Sequence, residues 1–292
     1  MYYQIACCTG ENTLTMENKY EAKIHPFLKW PGGKRWLISK HRRFFPTQFR
    51  HYYEPFLGSG AVFFTLRPSK ATLSDTNAEL INLFLVMRNQ PAQLANLMIE
   101  HQEKHSNAYY YQTRDMNCTD EVQAAGRLLY LNRTCYNGMY RVNRNGHFNV
   151  PIGTKSNCIF DIDMFSMYSE LLKNIELKTC DFEDVIVRAG AGDLIFSDPP
   201  YTISHNQNSF IKYNEKLFSW NDQIRLHNVL SDAKTRGVAI LATNACFAQL
   251  KSLYEESGFY VIELDRHSVI SGKADKRRMQ KELLISSFPF NE

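Results

Sequence analysis

The rhythm of apolar and polar positions changes twice along this chain. A short apolar strand is expected over 52–54, followed by the turn Pro55-Phe56-Leu57-Gly58-Ser59-Gly60 and a helix over 61–66. A second strand over 71–74 ends at Asp75 and leads into an apolar-rich helix around 80–86. Strand, turn and helix in alternation are the grammar of a parallel sheet covered by helices. Between 91 and about 161 that grammar lapses. Helical stretches with aromatic and polar residues appear (Tyr109-Tyr110-Tyr111, then 122–131), followed by a Gly/Asn/Arg-rich segment over 132–153. Within it, Asn137-Gly138 and Asn145-Gly146 are hairpin signals, because both pairs tolerate the positive φ that tight turns need. Strands resume at 175–179, 193–197, 238–242, 259–264 and 282–286, with Gly237 and Gly258 in the turns before two of them. The pattern predicts one α/β domain interrupted by an inserted lobe. The expected boundaries are 24–77 with 162–292 for the sheet-bearing domain, 78–161 for the insert, and a loosely ordered extension over 1–23.

Composition narrows the picture only a little. With 292 residues and a hydrophobic fraction of 44%, the chain can bury a core of ordinary size and is not disordered as a whole. No apolar run approaches the roughly 20 residues needed to span a bilayer, and the first ten residues lack a basic and apolar signal pattern. A cytoplasmic location without membrane attachment is the expectation. Seven cysteines, an odd number with no Cys-x-x-Cys pair, suit reduced thiols and no metal site. The net charge of +4 says little by itself. Its distribution says more, with clusters at Lys34-Arg35, Lys40, Arg42-Arg43 and Arg50, at Arg133, Arg141 and Arg144, and at Lys273, Lys276, Arg277, Arg278 and Lys281. Each cluster is either a solvated face or a footprint for a polyanion.

Three features carry candidate chemistry. Gly58-Ser59-Gly60 follows a strand and opens a helix, so glycines there let a ligand approach backbone N–H groups, although many such turns need glycine for steric reasons alone. Asp75, at the end of the next strand, stands where a carboxylate can accept both hydroxyls of an adenosine ribose. With no third glycine to hug a pyrophosphate, a nucleoside without phosphates fits better, and S-adenosylmethionine is such a ligand. Lys34 follows two glycines, but the spacing of a phosphate loop is absent and Arg35 stands where Ser or Thr would be.

The third feature is Asp198-Pro199-Pro200-Tyr201, directly after the apolar Leu194-Ile195-Phe196. Two prolines end the strand and stiffen the backbone. The Asp198 carboxylate, the Pro199 carbonyl and the Tyr201 ring are thereby fixed together at the sheet edge. Such a group suits a planar amine, whose two N–H bonds meet two acceptors while its ring stacks on tyrosine. Catalysis would rest on positioning and on negative potential near a developing cation.

These motifs, with their flanking residues, resemble the Dam-type DNA adenine methyltransferases. The resemblance runs over 26–287 and includes Phe27-Leu28-Lys29-Trp30-Pro31-Gly32-Gly33-Lys34, Glu54-Pro55-Phe56-Leu57-Gly58-Ser59-Gly60, Ser74-Asp75-Thr76-Asn77, Leu131-Asn132-Arg133, Tyr136-Asn137-Gly138, Phe148-Asn149-Val150-Pro151 and Asp198-Pro199-Pro200-Tyr201. It implies a Rossmann-like methyltransferase sheet of about seven strands, mostly parallel with a C-terminal antiparallel hairpin, and an inserted, mainly helical DNA-recognition lobe. It further implies methyl transfer from S-adenosyl-L-methionine to adenine N6 in double-stranded DNA by base flipping, at GATC or a related short site. Catalysis would fall to Asp198, Pro199, Pro200 and Tyr201. The cofactor would be held by Trp30, Lys34, Glu54, Phe56, Gly58, Gly60, Asp75 and Asp198, with Asp181 and Phe182 at its adenine; from burial tendencies alone, a surface Asp and a core Phe are an equal reading of that pair. DNA contacts would come from Lys29, Arg133, Tyr136, Asn137, Met139, Arg141, Asn149 and Pro151. Residues 136–141 are expected as a base-reading hairpin in which Arg141 binds a guanine edge in bidentate fashion.

The segment Ile152-Gly153-Thr154-Lys155 departs from the family, where an aromatic, Gly, Arg and Tyr are common after the proline. That departure bears on the outer part of a GATC site. Three other readings compete: an amino methyltransferase acting on cytosine N4, one acting on RNA or protein glutamine, and a non-catalytic DNA-binding relative. Against them stand Asp198 where cytosine enzymes commonly carry Ser, the basic insert, and undamaged Trp30, Lys34, Asp75 and Tyr201. The enzyme is expected to be bacterial or phage-encoded and a monomer in solution, with the polar loop over 202–214 mobile until DNA and cofactor bind.

Overall fold

A computed structural model of the chain describes residues 24–143, 145–158, 161–201, 218–267 and 279–290. The expected extension over 1–23, the loop over 202–214, and Arg144, Lys273, Lys276, Arg277 and Arg278 of the basic clusters lie outside the described residues.

In chain order the elements are α1 (Arg35–Lys40), β1 (Tyr52–Glu54), α2 (Ala61–Leu66), β2 (Ala71–Asp75), α3 (Ala78–Asn89), α4 (Pro91–Lys104), α5 (Asn107–Asp115), α6 (Glu121–Thr134), α7 (Asp163–Leu172), β3 (Glu176–Thr179), α8 (Phe182–Ile186), β4 (Leu194–Ser197), α9 (Trp220–Thr235), β5 (Ala239–Ala245), α10 (Ala248–Glu256), β6 (Tyr260–His267) and β7 (Met279–Ser286), with single 3₁₀ turns at Arg42–Phe44 and Tyr136–Gly138. Several helices begin where a side chain satisfies one of their free N–H groups. Asn77 accepts from Leu80 N (3.1 Å) to start α3, and Asp120 accepts from Gln123 N (2.8 Å) to start α6. Ser219 and Asp222 form a reciprocal capping box at α9. Pro91 opens α4, where its missing N–H costs nothing.

The seven strands form one sheet in the order β3-β2-β1-β4-β5-β7-β6. The strands from β3 to β5 are parallel, whereas β7 pairs antiparallel with both β5 and β6. Side chains alternate between two cores, one on each face. Tyr52, Leu194, Phe196, Leu241 and Leu284 enter one, while Tyr53, Ile195, Ile240, Ala242, Leu283 and Ile285 enter the other. Because the chain runs outward to β2 and β3 and returns to β4, the strand order reverses between β1 and β4. Open α/β sheets bind ligands in the crevice at the carboxyl ends of such a pair.

The expected α/β fold with C-terminal antiparallel strands is the fold observed. In the helical region, α6 packs against α3, α4 and α5. One local expectation is corrected. Residues 136–141 do not form a hairpin: Tyr136–Gly138 is a 3₁₀ turn, with φ of +57° at Asn137 and +64° at Gly138. The hairpin is the next segment, where Val142 pairs with Phe148 and Asn149 N donates to Arg141 O (3.1 Å). Asn143 Oδ1 closes its tip by accepting from Asn145 N (2.9 Å) and His147 N (3.0 Å). An Asn-Gly pair supplies positive φ equally well to a helical stop and to a hairpin, so the dipeptide alone does not separate the two.

Candidate functional site

The reversal between β1 and β4 brings two turns side by side. After β1, Gly58 (φ +49°) and Gly60 (φ +67°) adopt left-handed conformations that a side chain would strain. A Cβ on Gly58 would lie 2.9 Å from Trp30 Cδ1, so the indole takes the space of the missing side chain. Asp75, at the end of the neighbouring β2, accepts from Gly58 N (3.1 Å) and from Asn77 N (3.0 Å). These bonds fix the carboxylate beside the glycine turn and leave it further lone pairs. Burial pushes its pKa up, against the pull of the backbone donors.

After β4, Asp198 stands at the centre of a charged network that reaches four elements. Lys34, buried at the start of α1, donates to Asp198 Oδ1 (2.8 Å) and to Gly32 O (2.9 Å), and lies 3.6 Å from Glu282 Oε2 on β7. Thr243 on β5 also donates to Asp198 Oδ1 (2.8 Å). Tyr201 OH donates to Glu282 Oε2 (2.8 Å), and the ring lies 4.8 Å from the Lys34 ammonium. Arg266 on β6 pairs with the other oxygen of Glu282. Two cations thus face two carboxylates, the arrangement that makes buried charge tolerable. Burial pushes the Asp198 carboxyl up, and Lys34 and the Thr243 hydroxyl counter it. Both donors fall on Oδ1, which leaves Oδ2 as the acceptor for a further donor. The Tyr201 phenol is held far above its ordinary range by burial beside Asp198 and Glu282, so it stays a neutral ring with a fixed hydroxyl.

Glu54 is buried under this site and accepts from Tyr52 OH (2.8 Å). Burial, reinforced by the charge of Asp198, pushes its pKa up to about 8. Phe56 leads from the glycine turn to Phe182, with ring centroids 5.4 Å apart. Phe182 is itself buried at the start of α8. Asp181 caps that helix by accepting from Glu183 N (3.0 Å) and takes both arms of Arg225 from α9 (3.0 and 2.9 Å). The guanidinium of Arg225 lies 4.4 Å from the Phe182 ring centre.

The DNA-side candidates gather on a different set of elements. Asn132, near the end of α6, is buried and clamps the backbone of Lys29 from both sides. Lys29 N donates to Asn132 Oδ1 (3.0 Å), and Asn132 Nδ2 donates to Lys29 O (2.7 Å). Tyr136 and Asn137 are exposed on the 3₁₀ turn, and Met139 is half-buried behind them. Pro151 is exposed, and its carbonyl accepts from Tyr136 N (2.9 Å). Arg141 is exposed but aimed: its Nε donates to Asn149 Oδ1 (2.8 Å) and its Nη2 to Asn149 O (3.3 Å). Arg133 is half-buried. Burial, Lys155 and Arg133 push the Lys29 ammonium below its ordinary pKa, which places Lys29 within the field of both other cations.

Several of these groups had no place in the expected site: Thr243, Arg266, Glu282, Asn132, Lys155 and Arg225. A signal existed for four of them. Thr243 follows the apolar run Ile240-Leu241-Ala242 and Glu282 precedes Leu283-Leu284-Ile285, and a buried polar residue beside such a run needs a partner. Asn132 and Lys155 stood in segments already singled out, without a role of their own, whereas Arg266 and Arg225 are ordinary surface types until the fold brings them to a partner.

The residues fit the nucleoside cofactor named above. Asp75, held beside the glycine turn, keeps lone pairs for the hydroxyls of a ribose, and the Lys34 ammonium is already engaged by two carboxylates and a carbonyl, so it is not free to clamp a phosphate. Among the described residues no group of three His, Cys, Asp or Glu side chains could hold a metal ion, and no helix is long and apolar enough to cross a membrane.

Comparison with known proteins gives the same direction. The family model for the D12 class N6 adenine-specific DNA methyltransferases matches residues 30–269. The chain is 34% identical over 284 residues to a type II methyltransferase of Lactococcus lactis subsp. cremoris, covering 94% of this chain and 99% of that protein. It is also 34% identical over 290 residues to a type II methyltransferase of Methanocaldococcus jannaschii, covering 91% and 100%. A DNA adenine methylase of Serratia marcescens is 30% identical over 249 residues, covering 84% and 92%.

Proposed function

The chain belongs to the D12 class of N6 adenine-specific DNA methyltransferases, and from that premise we propose that it methylates a flipped adenine in GATC, or a closely related duplex site, using S-adenosylmethionine. The observation that carries the reading is the meeting of the Gly58/Asp75 cradle with Asp198 and Tyr201 at one reversal of the sheet. When bound, the cofactor would supply a sulfonium methyl open to in-line attack by a nitrogen lone pair, with the thioether S-adenosylhomocysteine as leaving group and a proton then lost from the methylated amine.

The protein's own contribution is then mostly placement. Asp198 Oδ2 and the Pro199 carbonyl accept the two N6 hydrogens, which favours a pyramidal nitrogen whose lone pair points at the methyl. Tyr201, its hydroxyl held by Glu282, presents a ring for the base to stack on. The negative Asp198 lies beside the nitrogen as positive charge develops there. Adenine N6 is paired inside a duplex, so this reading requires extrusion of the base. Tyr136 and Met139 are suited to fill the space it leaves, and Arg141, steadied by Asn149, to read a guanine. In this scheme 24–77 and 162–292 act as the catalytic domain and 78–161 as the recognition lobe.

Sequencing of modified bases in DNA from a methylation-deficient host expressing the chain tests the proposal. N6-methyladenine confined to GATC is the expected result. N6-methyladenine in another motif would keep the chemistry and refute the site, directing attention to Thr154 and Lys155. A folded chain supplied with cofactor that leaves DNA unmodified would refute the proposal.

A further inference from the structure

Tyr140 stands between the turn that carries Tyr136 and Asn137 and the hairpin that begins at Arg141, and two of its contacts reach outside that segment. Its ring stacks on Trp30, with centroids 4.6 Å apart and planes inclined by 21°. Trp30 in turn occupies the space above Gly58, where no side chain fits. The Tyr140 hydroxyl donates to Glu79 Oε2 (2.9 Å) in the first turn of α3, the helix that starts immediately after the Asp75 turn. One residue thus touches both halves of the cradle, the glycine turn through Trp30 and the Asp75 turn through Glu79. A second tie runs in parallel: Asn132 holds the backbone of Lys29, the neighbour of Trp30, and also reaches Gly138 O (3.4 Å) at the foot of the hairpin. The ring of Tyr140 further meets Phe148 on the returning arm of the hairpin (6.0 Å, 61°).

We propose that Tyr140 is a positioning residue that joins the base-reading hairpin to the cofactor cradle, so that occupation of either by its correct ligand tightens the other. The proposal rests on the function given above. A ligand that orders Trp30 against Gly58 also orders the ring on which the hairpin leans. By reciprocity of binding free energies, a correctly read DNA site must then favour the cofactor by the same factor. An aromatic stack of this kind supports a factor of about 3–10.

The test is calorimetric and needs no turnover. S-adenosylhomocysteine is titrated into the full chain alone, with a duplex carrying the motif found by methylation sequencing, and with a duplex of permuted sequence. The parent is expected to bind about 3–10-fold tighter with the first duplex than with the second. Tyr140→Leu should bring that ratio to about 1 with its circular dichroism spectrum unchanged, whereas Tyr140→Phe, which keeps the ring but loses the bond to Glu79, should retain only part of it. Glu79→Ala, at an exposed position, should lower the ratio without touching the stack, and serves if Tyr140→Leu does not fold. An undiminished ratio in Tyr140→Leu, or in Glu79→Ala when that variant stands in, overturns the proposal. A parent that binds S-adenosylhomocysteine without any ratio overturns it alone, and a parent that binds none overturns the function on which it rests as well.

Discussion

At the scale of single residues, the site depends on how burial is set against partners. Asp198 holds two donors on one oxygen and is paired with a buried lysine. Asp198→Ala should therefore abolish methyl transfer while duplex binding, measured by filter retention or anisotropy, stays within a few-fold of the parent, because that affinity rests largely on cation–phosphate contacts elsewhere. A loss of DNA binding as large as the loss of transfer would contradict the assignment. Glu54 offers a second test through pH. Its folded-state pKa lies near 8, above the ordinary 4.5, so the folded protein holds a proton that the unfolded chain releases. The stabilising effect of that proton is complete below the unfolded value and is lost as pH rises through the folded one. The thermal midpoint of the parent should fall between about pH 5 and about pH 9, and Glu54→Gln, which cannot ionise, should flatten that part of the curve. Equal slopes in parent and variant would show that Glu54 is not the titrating group.

At the scale of elements, the segment proposed for recognition is a small structure with its own rules. The tip is closed by Asn143, the arms are joined at Val142 and Phe148, and Asn149 grips Arg141 from the opposite arm. If Arg141 reads a guanine, Arg141→Ala should cost about 1–3 kcal/mol of discrimination at one base pair. Asn149→Ala should give a smaller loss at the same base pair, since it removes the support and not the reading group. The measurement is the ratio of kcat/KM on the mapped site to that on single-base variants. Losses at different base pairs would separate the two residues and contradict the support role. The correction at Tyr136–Gly138 belongs to this scale too. Whether an Asn-Gly pair becomes a turn or a hairpin depends on the partner its flanking backbone meets in space, here the Pro151 carbonyl that takes Tyr136 N.

At the scale of the whole molecule, charge is modest in sum and uneven in place. Lys29, Arg133 and Lys155 come together although they are far apart along the chain. A duplex bound there should be released steeply by salt, and Lys155→Ala should lower the slope of log K against log salt by about 0.9 if that ammonium meets one phosphate. An unchanged slope would assign Lys155 to a base or to solvent. The same gathering explains why the departure at Thr154-Lys155 was visible in the sequence but its consequence was not: its closeness to Lys29 arises from the pairing of 135 with 152.

The chain's linear pattern determined the strands, the helices that follow the first two strands and two of those in the insert, the glycine turn and the Asp-Pro-Pro-Tyr edge, because each arises from local periodicity or from backbone limits that glycine and proline impose within a few residues. Only the tertiary structure decided which oxygen of Asp198 remains for a substrate, that Glu282 and Arg266 complete its charge balance, that Asn132 clamps Lys29, and that Tyr140 leans on Trp30. Those pairs join elements distant in sequence. Partners of that kind are set by strand order and by the need of buried polar groups to find one another, and neither is written in a residue's near neighbours.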